Sequence, residues 1–91
     1  MAVMAVFEAP GMTAGQYDEV IRKLDEAGAG KPDGRLYHVA TQRGNGWFVI
    51  DVWESPEKLQ SFASILMPLL QGVGVTPPQP ELLPAHNIIA G

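Results

Sequence analysis

The chain has 91 residues, of which 46% are hydrophobic, and six Lys and Arg against ten Asp and Glu give it a formal net charge of −4. This length predicts one domain over residues 1–91, and the absence of Cys excludes a disulfide scaffold and a Cys-based zinc site. The acidic balance argues against nucleic acid or an anionic membrane as the main partner, and the apolar content argues against global disorder.

Hydropathy predicts no membrane-spanning segment. Uninterrupted apolar runs such as Ile65–Leu70 are far shorter than the roughly 20 residues that a transmembrane helix requires. The first ten residues contain no basic side chain and include Glu8, a pattern unlike a secretory signal. We therefore expect no membrane partner and a cytoplasmic location.

The N-terminal part predicts a strand followed by a helix. The strand is predicted over Met1–Ala9 and ends at the turn pair Pro10-Gly11. Thr13-Ala14-Gly15-Gln16 forms a capping box that predicts a helix start, and Gly28 predicts its left-handed end. The helix has one apolar stripe, formed by Tyr17, Val20, Ile21 and Leu24. Its other face is charged, with the predicted i,i+4 pairs Asp18–Arg22 and Glu19–Lys23.

The centre of the chain predicts a β-hairpin. Arg35–Arg43 and Trp47–Glu54 are rich in β-forming residues and flank Gly44-Asn45-Gly46. An Asn-Gly pair between two such runs is a strong short-range hairpin signal, so strands two and three are predicted to be antiparallel neighbours.

The C-terminal part predicts a second helix and a last strand. Ser55 is a good N-cap, Pro56 suits the first turn, and Pro68 is expected to end or kink the helix. The last strand is predicted over Glu81–Ala90, where Pro84 indicates an edge or bulge position. The resulting β-α-β-β-α-β order predicts a ferredoxin-like α+β sandwich, with a four-stranded antiparallel sheet and two helices on one of its faces.

Strand three also predicts how the protein associates. Trp47, Val49 and Trp53 point to one side of the strand, and Phe48, Ile50 and Val52 point to the other. Two helices cover only one face of the sheet, so the other apolar face needs a second cover. The simplest cover is the same sheet of a second copy, in a two-fold homodimer.

The predicted order and the segment Val52-Trp53-Glu54-Ser55 resemble the dimeric α/β-barrel superfamily. Within it, the chain is most similar to antibiotic-biosynthesis-monooxygenase-type proteins, and Pro84-Ala85-His86-Asn87 resembles the ending of small bacterial members. The resemblance covers nearly the whole chain and implies a dimeric α/β barrel. Members include cofactor-independent oxygenases acting on polycyclic phenols, haem-degrading enzymes, cyclases, quinol-type oxygenases and proteins of unknown role.

Two of these branches differ in the residues and cofactors that the resemblance implies. The haem-degrading branch uses an Asn on strand one, a strand-three Trp and a His in helix two; Trp53 matches, whereas the Asn and the His are missing. The oxygenase branch implies no cofactor, because an electron-rich phenolate can itself pass an electron to oxygen in a dry pocket. Trp53 is then the position carried over from the motif, as a pocket wall or hydrogen-bond donor.

Four further residues are candidates for catalysis. Asp51 lies in an apolar strand and becomes a possible general base if it is desolvated; the alternative is a carboxylate satisfied by Arg43, Tyr37 or backbone. Three more side chains could supply a proton donor or acceptor, or could be structural: Tyr37, His38 and His86. The face that His38 occupies depends on whether the hairpin turn has two or three residues. Two His without Cys and without close spacing predict no metal site.

Three functions remain open from the sequence. The first is a cofactor-independent monooxygenase acting on an aromatic, polyketide-like or quinol molecule. The second is a non-catalytic module that binds a small apolar or aromatic ligand. The third is a structural or interaction dimer whose facing sheets are packed solid, without a ligand-sized pocket. The likeness of fold favours the first by analogy alone.

Overall fold

A four-stranded antiparallel sheet with the strand order β2-β3-β1-β4 forms one layer of the protein. The structure is a computed structural model that describes residues 1–91. Its elements are β1 (Val3–Pro10), α1 (Ala14–Glu26), β2 (Arg35–Arg43), β3 (Gly46–Trp53), α2 (Pro56–Gly72) and β4 (Glu81–Pro84). The predicted ferredoxin-like α+β fold is confirmed. Neither helix is both long and apolar enough to cross a membrane.

The β2–β3 hairpin is confirmed, with Gly44 and Asn45 as its two-residue loop. Arg43 pairs with Gly46, and Gly44 adopts a positive φ of 59°. A glycine with positive φ at the first loop position is typical of a type II′ turn, whose twist matches that of the flanking strands. The two-residue loop settles the register and places His38 directly opposite Asp51.

Both helices begin where the sequence predicts. Thr13 Oγ1 accepts from the Gln16 backbone N–H at 3.1 Å, and Gln16 Oε1 accepts from the Thr13 N–H at 2.9 Å, which completes the capping box. Ser55 caps α2 by accepting from the Lys58 N–H at 3.3 Å. On α1 the predicted ion pairs are replaced by others, because Arg22 pairs with both Glu19 and Glu26.

The structure rules out an end of α2 at Pro68, and the predicted end of the last strand at Ala90 is wrong. Helix α2 continues through Pro68 to Gly72, because Pro68 and Ser64 are exposed and water can reach the carbonyl that Pro68 leaves unpaired. Strand β4 ends at Pro84 rather than at Ala90. Pro84 pairs with Val3, where β1 begins, so the residues beyond Ala85 have no neighbouring strand.

The core lies between the helices and one face of the sheet. Trp53 and Ala5 are fully buried there, and the Trp53 ring packs on Phe62 with centroids 5.4 Å apart. Trp47, Val49 and Asp51 face this layer together with Trp53, as the alternation along β3 predicts. The opposite face carries Phe48, Ile50 and Val52 and has no covering layer.

Strands β1 and β3 approach each other closely at Gly46. A Cβ on Gly46 would lie 2.8 Å from the Ala9 carbonyl oxygen and 3.1 Å from Pro10 Cα, both backbone atoms. Gly46→Ala should lower the free energy of unfolding in urea titration by about 1–3 kcal/mol. The control is Gly15→Ala at the start of α1, where the nearest atom is 3.8 Å away and the added methyl should not destabilise. Equal stability of the two variants would contradict the close approach.

Candidate functional site

An apolar cavity of about 70 Å³ lies between the sheet and the helices. Twelve of its 16 lining residues are hydrophobic, among them Phe7, Val20, Ile21, Leu24, Trp47, Leu66 and Leu70. Four lining residues are titratable: Tyr17, Arg35, His38 and Asp51. The cavity therefore brings a small set of titratable groups into an apolar environment, a common arrangement in ligand sites.

Tyr17, His38 and Asp51 form, together with Trp53, a hydrogen-bonded chain that reaches from the core to the cavity. Trp53 Nε1 donates to Asp51 Oδ2 at 3.2 Å, and Asp51 Oδ1 lies 2.6 Å from His38 Nδ1. On the other side of the imidazole, His38 Nε2 lies 2.6 Å from the Tyr17 hydroxyl. The Tyr17 and His38 rings are nearly parallel, with an angle of 4° between their planes.

Three elements position this chain. Asp51 and Trp53 are two residues apart on β3 and share the face that is turned to the helices. His38 is the cross-strand partner of Asp51 on β2, so the two side chains meet on the same face. Tyr17 lies in the first turns of α1, next to the capping box that fixes the start of that helix.

Burial fixes the direction of the hydrogen bonds. Asp51 is only 4% exposed, and its carboxylate requires hydrogen-bond donors because an unpaired buried charge is costly. The indole of Trp53 can only donate, and His38 supplies the second donor through Nδ1–H. In neutral His38 the Nε2 atom is then the acceptor, and it accepts from the Tyr17 hydroxyl.

The Tyr17 hydroxyl is protonated at neutral pH. Burial raises its pKa above the ordinary value of 10.0, the Arg35 guanidinium opposes this increase, and the charges of Asp51 and Asp18 add to it. Tyr17 therefore donates to His38, while the lone pairs of its oxygen stay available to a ligand hydroxyl. A proton from such a hydroxyl can pass to His38, whose imidazolium the Asp51 carboxylate would stabilise.

Arg35 contributes the one cationic side chain of the lining that is permanently charged. One of its terminal nitrogens donates to the Gly30 carbonyl at 3.1 Å, and its guanidinium carbon lies 5.8 Å from the centre of the Phe62 ring. These contacts hold a positive charge at the cavity wall, where it would favour an anionic ligand or intermediate.

The structure brings together three of the five predicted site residues. Asp51, His38 and Trp53 are linked by hydrogen bonds, and Asp51 finds its partners here rather than in Arg43, which pairs with Glu8 at 2.9 Å. The other two, Tyr37 and His86, lie together on the uncovered face of the sheet, in a shallow depression lined also by Met4 and Val52.

Two residues of the site are not among the predicted ones. The sequence places Tyr17 in an apolar helical stripe, and a phenol among aliphatic side chains was the available signal for a polar role. Trp47 lines the cavity and packs against Tyr17 with ring centroids 5.0 Å apart. No group of three or more His, Cys, Asp or Glu side chains is arranged to hold a metal ion.

Comparison with known proteins identifies the fold. No protein-family model and no curated protein matches the chain. The mutant N63A of SnoaB, a cofactor-independent oxygenase from Streptomyces nogalater, is similar in structure with a TM-score of 0.67 and 14% identity, over 99% of this chain and 98% of SnoaB. A proposed antibiotic biosynthesis monooxygenase from Chloroflexus aurantiacus gives a TM-score of 0.66 and 21% identity over 100% of both chains.

A third similar structure, the protein NE2512 of unknown function from Nitrosomonas europaea, gives a TM-score of 0.56 and 23% identity, over 100% of this chain and 98% of that one. The chain therefore has the ferredoxin-like fold of the antibiotic-biosynthesis-monooxygenase-like proteins, as the resemblance in sequence implies. At these identities the likeness concerns the fold, and the chemistry has to be argued from the site.

The raised pKa of Tyr17 predicts a specific pH dependence of stability. Tyr17→Phe removes the hydrogen bond to His38 and should cost about 1 kcal/mol at pH 7. A folded-state pKa above the unfolded value stabilises the wild type fully below about pH 10, and this contribution is lost as the pH rises through the folded pKa.

The stability difference between wild type and Tyr17→Phe should therefore narrow above pH 10, as measured by urea unfolding between pH 7 and 11.5. Tyr37→Phe, which removes the other tyrosine hydroxyl from the uncovered face, serves as the control. A difference that stays constant across this range would contradict the assigned role of the Tyr17 hydroxyl.

Proposed function

We propose that the protein is a cofactor-independent monooxygenase that oxidises an electron-rich phenol or quinol-type aromatic molecule in the cavity under the helices. The observation that carries this proposal is the hydrogen-bonded chain of Trp53, Asp51, His38 and Tyr17, which ends at an apolar cavity. This chain supplies a general base where the surroundings exclude most water. The similarity in fold to a cofactor-independent oxygenase supports the same reaction class by analogy.

The proposed reaction balances without an external reductant. A phenol with a free para carbon reacts with one O₂ to give one para-quinone and one water. The substrate loses its phenolic proton and its para C–H, gains one oxygen atom, and supplies all four electrons that reduce O₂. The protein has to bind the ring, remove the phenolic proton and stabilise the anions that form.

Each polar residue of the cavity has a role in this reaction. His38 accepts the phenolic proton, directly or through the Tyr17 hydroxyl, and Asp51 stabilises the resulting imidazolium. Trp53 donates to Asp51 and holds the carboxylate in place, so it is a positioning residue. Arg35 places a positive charge at the wall, which favours the phenolate and the reduced oxygen species.

Substrate binding requires the cavity to expand. Its volume of about 70 Å³ is below the roughly 300–1,000 Å³ of typical ligand pockets. Pro78 contributes to the lining from the segment 73–80, which has no helix or strand of its own. We propose that residues 76–80 move outward to admit the aromatic ring, because no backbone hydrogen bond joins them to the rest of the fold, whereas Val73, Gly74 and Val75 donate to the end of α2.

Activity can be tested by oxygen uptake with phenols and quinols, followed by quinone absorbance. His38→Gln and Asp51→Asn should each lower kcat at pH 7 by about 10²–10⁴-fold, the range of general-base catalysis. Part of the loss should be recovered at a pH above the pKa of the substrate phenol, because the phenolate then forms without the base. A loss that is independent of pH would contradict a role in deprotonation.

Tyr37→Phe and His86→Gln distinguish the two faces of the sheet in the same assay. Both residues lie on the uncovered face, so turnover that depends on them rather than on His38 would move the site to that face. Binding of a phenol that raises the melting temperature without oxygen uptake would instead favour the non-catalytic ligand-binding module.

We also propose that the protein forms a homodimer through the uncovered sheet face. This face is apolar on neighbouring strands: Met4 and Val6 on β1, Val39 on β2, and Ile50 and Val52 on β3. Val39 is 65% exposed in the single chain, and an apolar face of this kind usually marks an interface. When two copies pair through this face, each copy covers the apolar face of the other, as two-fold symmetry allows.

A charge on this face should separate the dimer. Val39→Asp is expected to give a monomer in light scattering at micromolar concentration, where the wild type is a dimer, because each interface would bury two unpaired carboxylates. Ile65→Asp is the matched control, since Ile65 is 44% exposed on α2 and lies away from the sheet. A monomeric wild type, or a dimeric Val39→Asp protein, would contradict this interface.

A further inference from the structure

A surface depression adjoins the cavity near the start of α1. It has a volume of about 420 Å³ and is lined mainly from two sides, by the turn between β1 and α1 and by residues 74–78. The depression and the cavity have two lining residues in common, Met12 and Pro78. These two residues therefore stand between the cavity and the solvent at this point.

A second depression adjoins the cavity beside the hairpin, but its wall is held more firmly. The residues that it shares with the cavity are Ala9 and Trp47, which are cross-strand partners on β1 and β3. Met12 and Pro78 lie outside every helix and strand, and no backbone hydrogen bond joins residues 76–80 to the rest of the fold. The wall at Met12 and Pro78 is thus the easier of the two to open.

The side chain of Gln16 holds the two sides of this wall together. Its Oε1 accepts from the backbone N–H of Thr13, the residue after Met12, at 2.9 Å. Its Nε2 donates to the Val73 carbonyl at 3.0 Å, and no other side-chain hydrogen bond reaches residues 73–80. One amide therefore ties the turn that carries Met12 to the segment that carries Pro78.

We propose that the cavity opens to its ligand between Met12 and Pro78, and that Gln16 controls this entrance. The inference rests on the proposed function for the kind of molecule that enters, an aromatic ring larger than the closed cavity. Gln16 makes no hydrogen bond to the Tyr17–His38–Asp51 chain, so it acts on access and not on proton transfer. Without the bond to Val73, no hydrogen bond joins the two sides of the entrance, and opening becomes more frequent.

The indole N–H of Trp47 reports the opening of the cavity without any ligand. Trp47 lines the cavity, and its Nε1 is buried and has no hydrogen-bond partner, so its exchange with solvent requires only that water reaches it. Trp53 Nε1 donates to Asp51 at 3.2 Å and serves as the reference in the same sample. The chain contains two Trp, so ¹⁵N-tryptophan labelling gives two indole N–H resonances, and Trp47→Phe assigns them.

Gln16→Glu removes the bond to Val73 and keeps the helix start. A glutamate at this position of a capping box still accepts from the Thr13 N–H, whereas it has no N–H for the Val73 carbonyl. Exchange of the Trp47 indole should become about tenfold faster, which corresponds to one hydrogen bond of about 1.4 kcal/mol. Exchange of the Trp53 indole should stay unchanged, because the fold as a whole is not loosened.

Two variants are the controls for this experiment. Gln60→Glu makes the same change at an exposed position of α2. Arg43→Gln removes the contacts of Arg43 with Glu8 and Phe48 beside the hairpin depression. Both should leave the exchange rate of Trp47 as in the wild type. Faster exchange in Arg43→Gln would place the entrance on the hairpin side and overturn the inference.

The wild type provides a second test that needs no variant. Opening of an entrance exposes little surface, so exchange of Trp47 should hardly change in low urea, whereas exchange that requires unfolding becomes faster with urea. A Trp47 rate that rises as steeply as global unfolding predicts would overturn the inference. An unchanged Trp47 rate in Gln16→Glu, or equal acceleration of both indoles there, would also overturn it. Because these measurements use no ligand, a lack of oxygen uptake would refute the proposed function and leave the entrance in place.

Discussion

The pairing of the buried Asp51 carboxylate is the constraint on which the candidate site depends. A carboxylate with 4% of its surface exposed has to receive hydrogen bonds from donors that the fold brings to it. Trp53 on the same strand and His38 on the neighbouring strand are those donors, and their contacts orient the imidazole toward Tyr17. One buried charge therefore determines the arrangement of three aromatic side chains at the edge of the cavity.

The two faces of the sheet differ in what covers them. The helix-covered face holds the core, the cavity and the Tyr17–His38–Asp51 chain. The other face is apolar without a cover, and it carries Tyr37 and His86 in a shallow depression. In the proposed function, the chemistry lies in the interior of one chain and association uses the outer face. A barrel formed by two facing sheets does not need to be hollow for the cavity to function.

Several polar and apolar features of the site have no partner within the protein. The apolar cavity, the acceptor lone pairs of Tyr17 and the free indole N–H of Trp47 are unfavourable features in a protein without a ligand. Under the proposed function, a bound aromatic molecule would fill this space and supply partners for these groups. This difference between the empty and the occupied state is a physical reason to assign the cavity to a ligand rather than to packing.

The sequence by itself determined the order of elements, the helix starts and the side of β3 on which each residue lies. These features depend on contacts within a few residues, such as the Thr13–Gln16 capping box and the period of two in a strand. It also indicated Asp51, His38 and Trp53 as candidates. Only the tertiary structure decided that these three meet, because the pairing depends on the hairpin register. The contacts of Tyr17 with His38 and Trp47 likewise depend on how α1 packs on the sheet, and they join residues distant in the chain.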